Sequence, residues 1–160
     1  HRCQAELSRH DPHVRHFVSS LPPEGAQPCL GRPGAGLTMA GGLSIHCVDV
    51  ASGRVAAGLQ VTVRRLGAEG EPQGEALAQG VIGANGLLAH PALMSDAIGP
   101  GGYEVCFFVG DFYRAQGAAV PSPVFLEVVP YRFHIADAAQ HYHLPFKFTA
   151  WGFSLFRGGA

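Results

Sequence analysis

From about Leu43 to its last residue, the sequence predicts one all-β domain, a sandwich or barrel of seven or eight strands with almost no helix. Two observations predict this class. Short runs of β-branched and aromatic residues follow Gly42, and Gly, Pro, Asp and Asn separate them, as is typical of sandwiches and barrels. Hydrophobic residues make up 47% of the 160-residue chain and charged residues only 14%, so the chain can bury one globular core.

The first half of the domain shows alternating residues and tight turns. Leu59–Leu66 alternates apolar and polar residues, which gives a strand one apolar face. A turn is expected at residues 49–54 and a polar hairpin loop at Gly67–Gly74. Asn85-Gly86 favours a tight turn because both residues tolerate positive φ. The predicted strands are Leu43–Val50, Leu59–Leu66, Ala76–Ile82 and Leu87–His90.

The second half contains the most apolar strands and the one expected helical turn. Pro130 lies inside a long apolar run and lacks an N–H donor, which predicts an edge strand or a bulge. Asp111–Gln116 is predicted to form one helical turn, with Asp111 as its N-cap. The predicted strands are Tyr103–Val109, Phe125–Ile135, His141–Thr149 and Trp151–Phe156.

Residues 1–42 differ in character from the rest. A short helix is a candidate around Glu6–Val18, and prolines and glycines between residues 22 and 36 are typical of a linker. Met39 is a candidate native start. We expect residues 1–42 to form a flexible N-terminal extension and residues 43–160 to form the functional domain.

Charge and cysteine usage exclude several function classes. The formal net charge is −1 with His neutral, so no basic nucleic-acid surface is predicted. No apolar stretch approaches the roughly 20 residues that span a bilayer. The four cysteines form no CxxC pair, which argues against a zinc ribbon and indicates a reducing compartment. We expect no nucleic-acid or membrane partner and a cytoplasmic protein, with the peroxisome as the alternative; the low charge fraction also favours an oligomer.

Three histidines are the candidate chemical groups. His141 and His143 point to one face of their strand, since side chains alternate along a strand. His46 interrupts the apolar first strand. Histidine is the usual general base near neutral pH, but each ring could equally hold a loop by a hydrogen bond. Together the three could also bind zinc, although no acidic partner for such a site stands out in the sequence.

Three motifs together indicate a family. Residues 141–145 read His-Tyr-His-Leu-Pro, and residues 151–159 read Trp-Gly-Phe-Ser-Leu-Phe-Arg-Gly-Gly. Residues 45–49 read Ile-His-Cys-Val-Asp, followed by Ser-Gly-Arg at 52–54. In this order the motifs resemble those of the transthyretin-like family, and most closely those of its 5-hydroxyisourate hydrolases. The resemblance covers residues 43–160.

The resemblance implies a two-sheet β-sandwich with one short helix, a homotetramer with its sites between dimers, and no cofactor or metal. It implies a cyclic amide hydrolase that opens the ring of 5-hydroxyisourate, a small-molecule substrate of urate breakdown. It implies that His46 and His143 are catalytic and that Arg157 contacts the substrate, and we expect Phe156 and His141 to do so as well. We hypothesise that His143, with His46, activates a water, while Arg157 or nearby backbone N–H groups stabilise the oxyanion.

This chain departs from the family pattern at the expected site. Leu87 replaces an arginine that helps to bind the substrate, and Gly159 replaces the serine of the terminal motif. Phe156 replaces a tyrosine. These changes predict a more apolar site with fewer donors for a polar ring. Two alternatives therefore stay open: a hydrolase of an N-methylated 5-hydroxyisourate in methylxanthine breakdown, and a transthyretin-like protein that binds without catalysis.

Overall fold

The computed structural model describes residues 41–158. These residues form eight strands, one α-helix and one short 3₁₀ helix. The strands are β1 (Gly42–Asp49), β2 (Arg54–Val55), β3 (Gln60–Leu66), β4 (Pro72–Val81), β5 (Gly101–Phe107), β6 (Val129–Ile135), β7 (His141–Phe148) and β8 (Phe153–Leu155). Helix α1 spans Val109–Ala115, and the 3₁₀ helix spans Pro91–Met94. Nearly all of the predicted extension, residues 1–42, lies outside the described residues, as does the predicted helix at residues 6–18.

The strands form two four-stranded sheets, which confirms the predicted all-β sandwich with one short helix. The first sheet has the order β2-β1-β7-β8, and the second has the order β4-β3-β5-β6. Strand β1 runs parallel to β7, whereas the other pairs are antiparallel. The parallel pair brings the first and the seventh strands side by side, although they are almost a hundred residues apart in sequence.

The core lies between the inner faces of the two sheets. Leu43, Ile45 and Cys47 of β1 are buried, and the alternate residues of β7 are buried in the same way. Phe107 of the second sheet stacks on Phe146 of the first, with 3.9 Å between the ring centroids. The period-2 pattern therefore sends one half of each strand inwards and leaves the other half of β1 and β7 on the outer face.

A buried polar pair fixes the end of β1. The hydroxyl of Tyr113 in α1 donates to Asp49 Oδ1 at 2.6 Å, and Asp49 is only 7% exposed. Burial by itself raises the pKa of Asp49, but hydrogen bonds from Ser52, Tyr113 and backbone N–H groups outweigh it and hold that pKa below its ordinary value. Asp49 therefore ties α1 to the first sheet as a carboxylate.

Several turns and strand ends agree with the sequence and others do not. Gly86 has a φ of +81° and donates to Gly83 O at 2.9 Å, as expected of the predicted tight turn. Pro130 lies in β6, an edge strand, as predicted. However, β6 begins only at Val129, because its partner strand β5 ends at the paired residue Phe107. The predicted strand at residues 125–128 is therefore wrong.

Three further expectations are corrected near turns. The predicted strand Leu87–His90 is reduced to one bridge between Leu87 and His46, after which His90 caps the 3₁₀ helix by accepting from Ala92 N. Asp111 does not cap α1, since the helix begins two residues earlier, and Asp111 instead pairs with Arg114 at 2.7 Å. Trp151 lies in a turn rather than in β8.

The bounds of one strand in each sheet also differ from the prediction. Strand β4 starts at Pro72, inside the stretch predicted to be a hairpin loop, and the two-residue strand β2 occupies the end of the predicted turn at residues 49–54. Both strands reach these residues because they pair with a neighbouring strand. The residue pattern of a single segment does not show which strand will be its neighbour. No helix among residues 41–158 is long and apolar enough to cross a bilayer.

Candidate active site

The outer face of the β1–β7 pair carries all three candidate histidines. Ser44 and His46 are half-buried residues of β1 on this face, and His141 and His143 are half-buried residues of β7 on it. The parallel register sets Ser44 opposite His143 and His46 opposite Pro145. His46 and His143 are therefore diagonal neighbours on adjacent strands. The structure thus brings together the imidazoles that the sequence separates by 97 residues.

Ser44 lies between two of the imidazoles. Its Oγ is 2.8 Å from His141 Nε2 and 2.7 Å from His143 Nδ1. Both distances are those of good hydrogen bonds. The hydroxyl therefore fixes the orientation of both rings and leaves Nε2 of His143 as the nitrogen that faces away from this cluster.

Electrostatics favour a neutral His143. Burial, and then the charges of His46 and His141, lower the pKa of His143. A neutral imidazole has one unprotonated nitrogen, so it can accept a proton from water. The neighbouring histidines therefore support His143 as a base near neutral pH.

His46 packs against the turn that precedes Leu87. The bridge between His46 and Leu87 is flanked by hydrogen bonds from Cys47 N to Gly86 O at 2.9 Å and from Leu88 N to Ile45 O at 3.1 Å. In such an antiparallel pair the two side chains stand close together on one face. Leu87 is therefore beside His46, so the arginine expected at this position would have reached the histidines.

Two glycines make room for the histidine rings. A Cβ on Gly86 would lie 2.5 Å from His46 Nε2, and a Cβ on Gly158 would lie 2.6 Å from His143 Cδ2. The N–H of Gly158 also donates to His143 O at 2.7 Å. The chain after β8 thus continues along β7 and closes over the ring of His143.

Arg157 is not brought to the histidines. Its Nη2 donates to Gln140 Oε1 at 2.7 Å, and its guanidinium lies 4.2 Å from the ring centroid of Tyr142. Tyr142 alternates with His141 and His143 along β7, so its side chain belongs to the opposite face. The strand alternation that places Gly158 against His143 therefore turns Arg157 the other way.

Phe156, unlike Arg157, lies on the histidine face. The β7–β8 register pairs Phe146 with Leu155, and its continuation sets Phe156 opposite Pro145, which lies on the histidine face. Phe156 is 47% exposed. Gly159 lies outside the described residues.

A cavity of about 290 Å³ opens beside His141. Its walls are mainly apolar, as the replacement of arginine by Leu87 predicts. The residues that line it include Ser44, Asn85, Leu87, Leu88, His90, Leu93, Met94 and His141. Within residues 41–158, no three His, Cys, Asp or Glu side chains are arranged to hold a metal ion.

Sequence reasoning placed the histidines on one face but missed the groups that hold them. Ser44 was recognisable only as a residue on the face of His46, and its partners come from β7. Gly86 was identified as a turn residue, whereas its contact with His46 depends on how the turn folds back on β1. Gly158 gave no signal, because a glycine near a chain end is also typical of a frayed terminus.

Comparisons with known proteins agree with this geometry. The model of the HIUase/Transthyretin family matches residues 43–158. The chain is 37% identical over 122 residues to 5-hydroxyisourate hydrolase 2 of Rhizobium meliloti, with 76% of this chain and 99% of that protein covered. The family match includes the strands that carry the three histidines.

Solved structures show the same fold. The structure of Klebsiella pneumoniae 5-hydroxyisourate hydrolase is 28% identical, with a TM-score of 0.59, and the match covers 74% of this chain and 99% of that one. Sea bream transthyretin in complex with thyroxine has a TM-score of 0.64 at 23% identity, with 74% and 95% covered. The likeness to transthyretin concerns the fold alone.

Proposed function

Because this chain belongs to the HIUase/transthyretin family, we propose that it hydrolyses 5-hydroxyisourate by opening the cyclic amide of the ring. The observation that carries the proposal is the meeting of His46, His141 and His143 on one outer sheet face, with His141 lining an adjacent cavity. Curated relatives named 5-hydroxyisourate hydrolase match most of the chain. An enzyme that breaks down urate's oxidation product needs no cofactor for this step.

His143 is the proposed general base. Nε2 of its neutral ring takes a proton from a water as the water oxygen attacks the ring carbonyl. The tetrahedral intermediate then collapses, the C–N bond breaks, and the leaving nitrogen receives the proton from the imidazolium. The single product is the opened ring, which carries the new carboxyl group and the protonated leaving nitrogen. One water is consumed, the carboxylic acid releases its proton to solvent to give the carboxylate, and the neutral histidine is regenerated.

His46 is the proposed partner of His143 in positioning that water. It lies diagonally across the β1–β7 pair, and its ring is held over the turn at Gly86. Leu87 beside it gives the substrate an apolar contact instead of a cationic one. His141 and Phe156 complete the proposed substrate contacts on this face.

Arg157 remains a proposed substrate contact through movement of its long side chain. The guanidinium is exposed and is held by one hydrogen bond to Gln140 and by the ring of Tyr142. The hydrogen bond to Gln140 is exposed, and exchange of such a surface contact for an anionic or polar ligand costs little. A substrate oxygen could therefore draw Arg157 from Gln140 towards the site.

The two alternatives have less support than the parent activity. The relatives reported above are named for 5-hydroxyisourate rather than for a methylated analogue. The carrier alternative is supported by transthyretin structures at 23% identity or less, and these show the fold alone. Three imidazoles on one sheet face, two of them bonded to one hydroxyl, also suit proton transfer better than the binding of an apolar ligand.

A homotetramer in the cytoplasm is part of the proposal. Two large apolar side chains near the histidine face, Val55 and Phe156, are exposed, and burial between subunits would remove them from water. Light scattering should then give about 67 kDa, four times the mass of the 16.8 kDa chain. A monomer at working concentration would contradict this assembly. Cys47 and Cys106 are free thiols, as a reducing compartment favours.

The test follows the ultraviolet decay of freshly made 5-hydroxyisourate with and without the protein. Wild type should accelerate the decay, and His46→Ala and His143→Ala should each lose about 10²–10⁴-fold in kcat. His134→Ala is the matched control, since His134 is exposed on β6 in the other sheet. Absence of acceleration by wild type, or wild-type rates in both site variants, would overturn the proposal.

A further inference from the structure

We propose that Ser44 is a positioning residue that decides which ring nitrogen of His143 carries the proton, and that it couples this choice to His141. The inference rests on the proposed function, in which Nε2 of His143 is the base. It adds a residue from β1 whose hydroxyl touches both histidines of β7.

A serine hydroxyl has one proton and can donate it to one partner at a time. Ser44 has two nitrogen partners, His141 Nε2 at 2.8 Å and His143 Nδ1 at 2.7 Å. The two nitrogens are the side-chain partners of Ser44 Oγ among residues 41–158, so the arrangement that uses the hydroxyl proton has Ser44 donate to one ring and accept from the other. This arrangement gives the two neutral rings matched tautomers.

Only one of the two arrangements leaves His143 ready to act as a base. When His143 Nδ1–H donates to Ser44 Oγ, the hydroxyl donates to His141 Nε2, and Nε2 of His143 is unprotonated. In the reverse arrangement Ser44 donates to His143 Nδ1, and Nε2 of His143 then carries the hydrogen. The orientation of the Ser44 O–H bond thus determines whether Nε2, on the far side of the His143 ring, can accept a proton.

Protonation of His141 favours the inactive arrangement. A charged His141 has N–H groups on both nitrogens, so Ser44 must accept from it, and His143 Nδ1 is then the remaining side-chain acceptor for the hydroxyl proton among residues 41–158. His143 then loses its free Nε2 lone pair without being protonated itself. Besides His141, the titratable groups on this face are His46 of β1 and, further along β7, Lys147. His90, just before the 3₁₀ helix, lines the same cavity as His141 and Ser44.

The surroundings favour such a fixed arrangement. Gly158 closes over the edge of His143 and bonds to its backbone oxygen, so the ring cannot turn freely to exchange its nitrogens. Burial and the neighbouring histidines keep the pKa of His143 low, which keeps the ring neutral. Its tautomer is then the property left for Ser44 to set.

The first test compares Ser44→Ala with Ser44→Thr in the full chain. Ser44→Ala should lose about 10–10²-fold in kcat with KM little changed, which is less than the ~10⁴-fold cost of a triad histidine locked in the wrong tautomer, since both tautomers stay accessible. Ser44→Thr retains the hydroxyl and should recover most of the rate. Ser154→Ala, an exposed serine of β8, is the matched control. Wild-type kcat in Ser44→Ala would overturn the proposal.

The second test does not depend on the reaction. Nitrogen-15 shifts of labelled histidine rings should show His143 with its hydrogen on Nδ1 in wild type, and a mixture of tautomers in Ser44→Ala. As the pH is lowered, kcat/KM should fall more steeply in wild type than in Ser44→Ala. In wild type, protonation of either His141 or His143 removes the free lone pair on Nε2 of His143. If wild type lacks hydrolase activity, the tautomer measurement still tests Ser44, and an unchanged His143 tautomer in Ser44→Ala refutes the positioning role.

Discussion

Replacing Gly158 with alanine should cost about 10²-fold in kcat/KM while the domain stays folded. Gly158 contributes no side chain to the site, and its role is to leave space for the ring of His143. The added methyl group would meet three ring or ring-proximal carbons, at 2.6 Å from Cδ2 and 3.3 Å from both Cβ and Cγ. This contact is the tightest restriction on the proposed base.

The size of the effect follows from that geometry. Carbon atoms in favourable contact are about 3.5–4.0 Å apart, so the imidazole or the terminal segment must move by about 1 Å. A misplacement of that size can lower a rate by about 10²-fold, which corresponds to roughly 2.7 kcal/mol in the activation free energy. An extra methyl group in a well-packed core typically costs about 1–3 kcal/mol. Because Gly158 lies near the end of the chain, the terminal segment can absorb part of the strain, and the unfolding free energy should fall by less than that cost.

The assay is the decay of 5-hydroxyisourate at several substrate concentrations, with thermal unfolding measured on the same samples. Gly152→Ala is the matched control, since a Cβ there meets nothing within 4 Å, and it should keep wild-type activity. Equal activity in Gly158→Ala and Gly152→Ala would refute the reasoning that the close approach of Gly158 positions His143. Equal losses in both variants would point to the terminal segment as a whole.

Three other substitutions probe the core pair, the apolar site and the sandwich. Tyr113→Phe should lower the unfolding free energy by about 1.5–3 kcal/mol at pH 7, because Asp49 loses a buried donor. The pKa of Asp49 is lowered in the folded state, so the stabilisation from its charged form is present above about pH 3.9. The difference in unfolding free energy between wild type and Tyr113→Phe should therefore shrink as the pH falls below that value. Leu87→Arg should lower the KM for 5-hydroxyisourate about tenfold, since a guanidinium would then stand beside His46. Phe107→Ala should cost about 3–5 kcal/mol in urea unfolding.

Each of these variants has a control in the same chain. Tyr131→Phe tests the general effect of removing a phenol, and a pH-independent loss in Tyr113→Phe would contradict the charged role of Asp49. Leu87→Met keeps the side-chain volume without adding a charge. An equal KM in Leu87→Arg and Leu87→Met would therefore exclude a contact between the introduced arginine and the substrate. Val81, 60% exposed, should tolerate alanine within about 0.5 kcal/mol.

The sequence by itself determined the fold class, the principal strands and the face on which the histidines lie. Alternation in β1 and β7 separates buried residues such as Ile45 and Leu144 from half-buried residues such as His46 and His143. That information is local, because each side chain's face depends on its own strand alone. The motifs at residues 45–54, 141–145 and 151–159 indicated the family for the same reason, since each is a short contiguous run.

Only the tertiary structure decided which neighbours each histidine has. The parallel register of β1 and β7 brings Ser44 to His143, the returning turn brings Leu87 to His46, and the terminal segment turns Gly158 towards His143 but Arg157 away from it. A shift of one residue in any of these pairings would move the side chain to the other face. Register depends on contacts between segments far apart in the chain, so the local pattern of residues left it open.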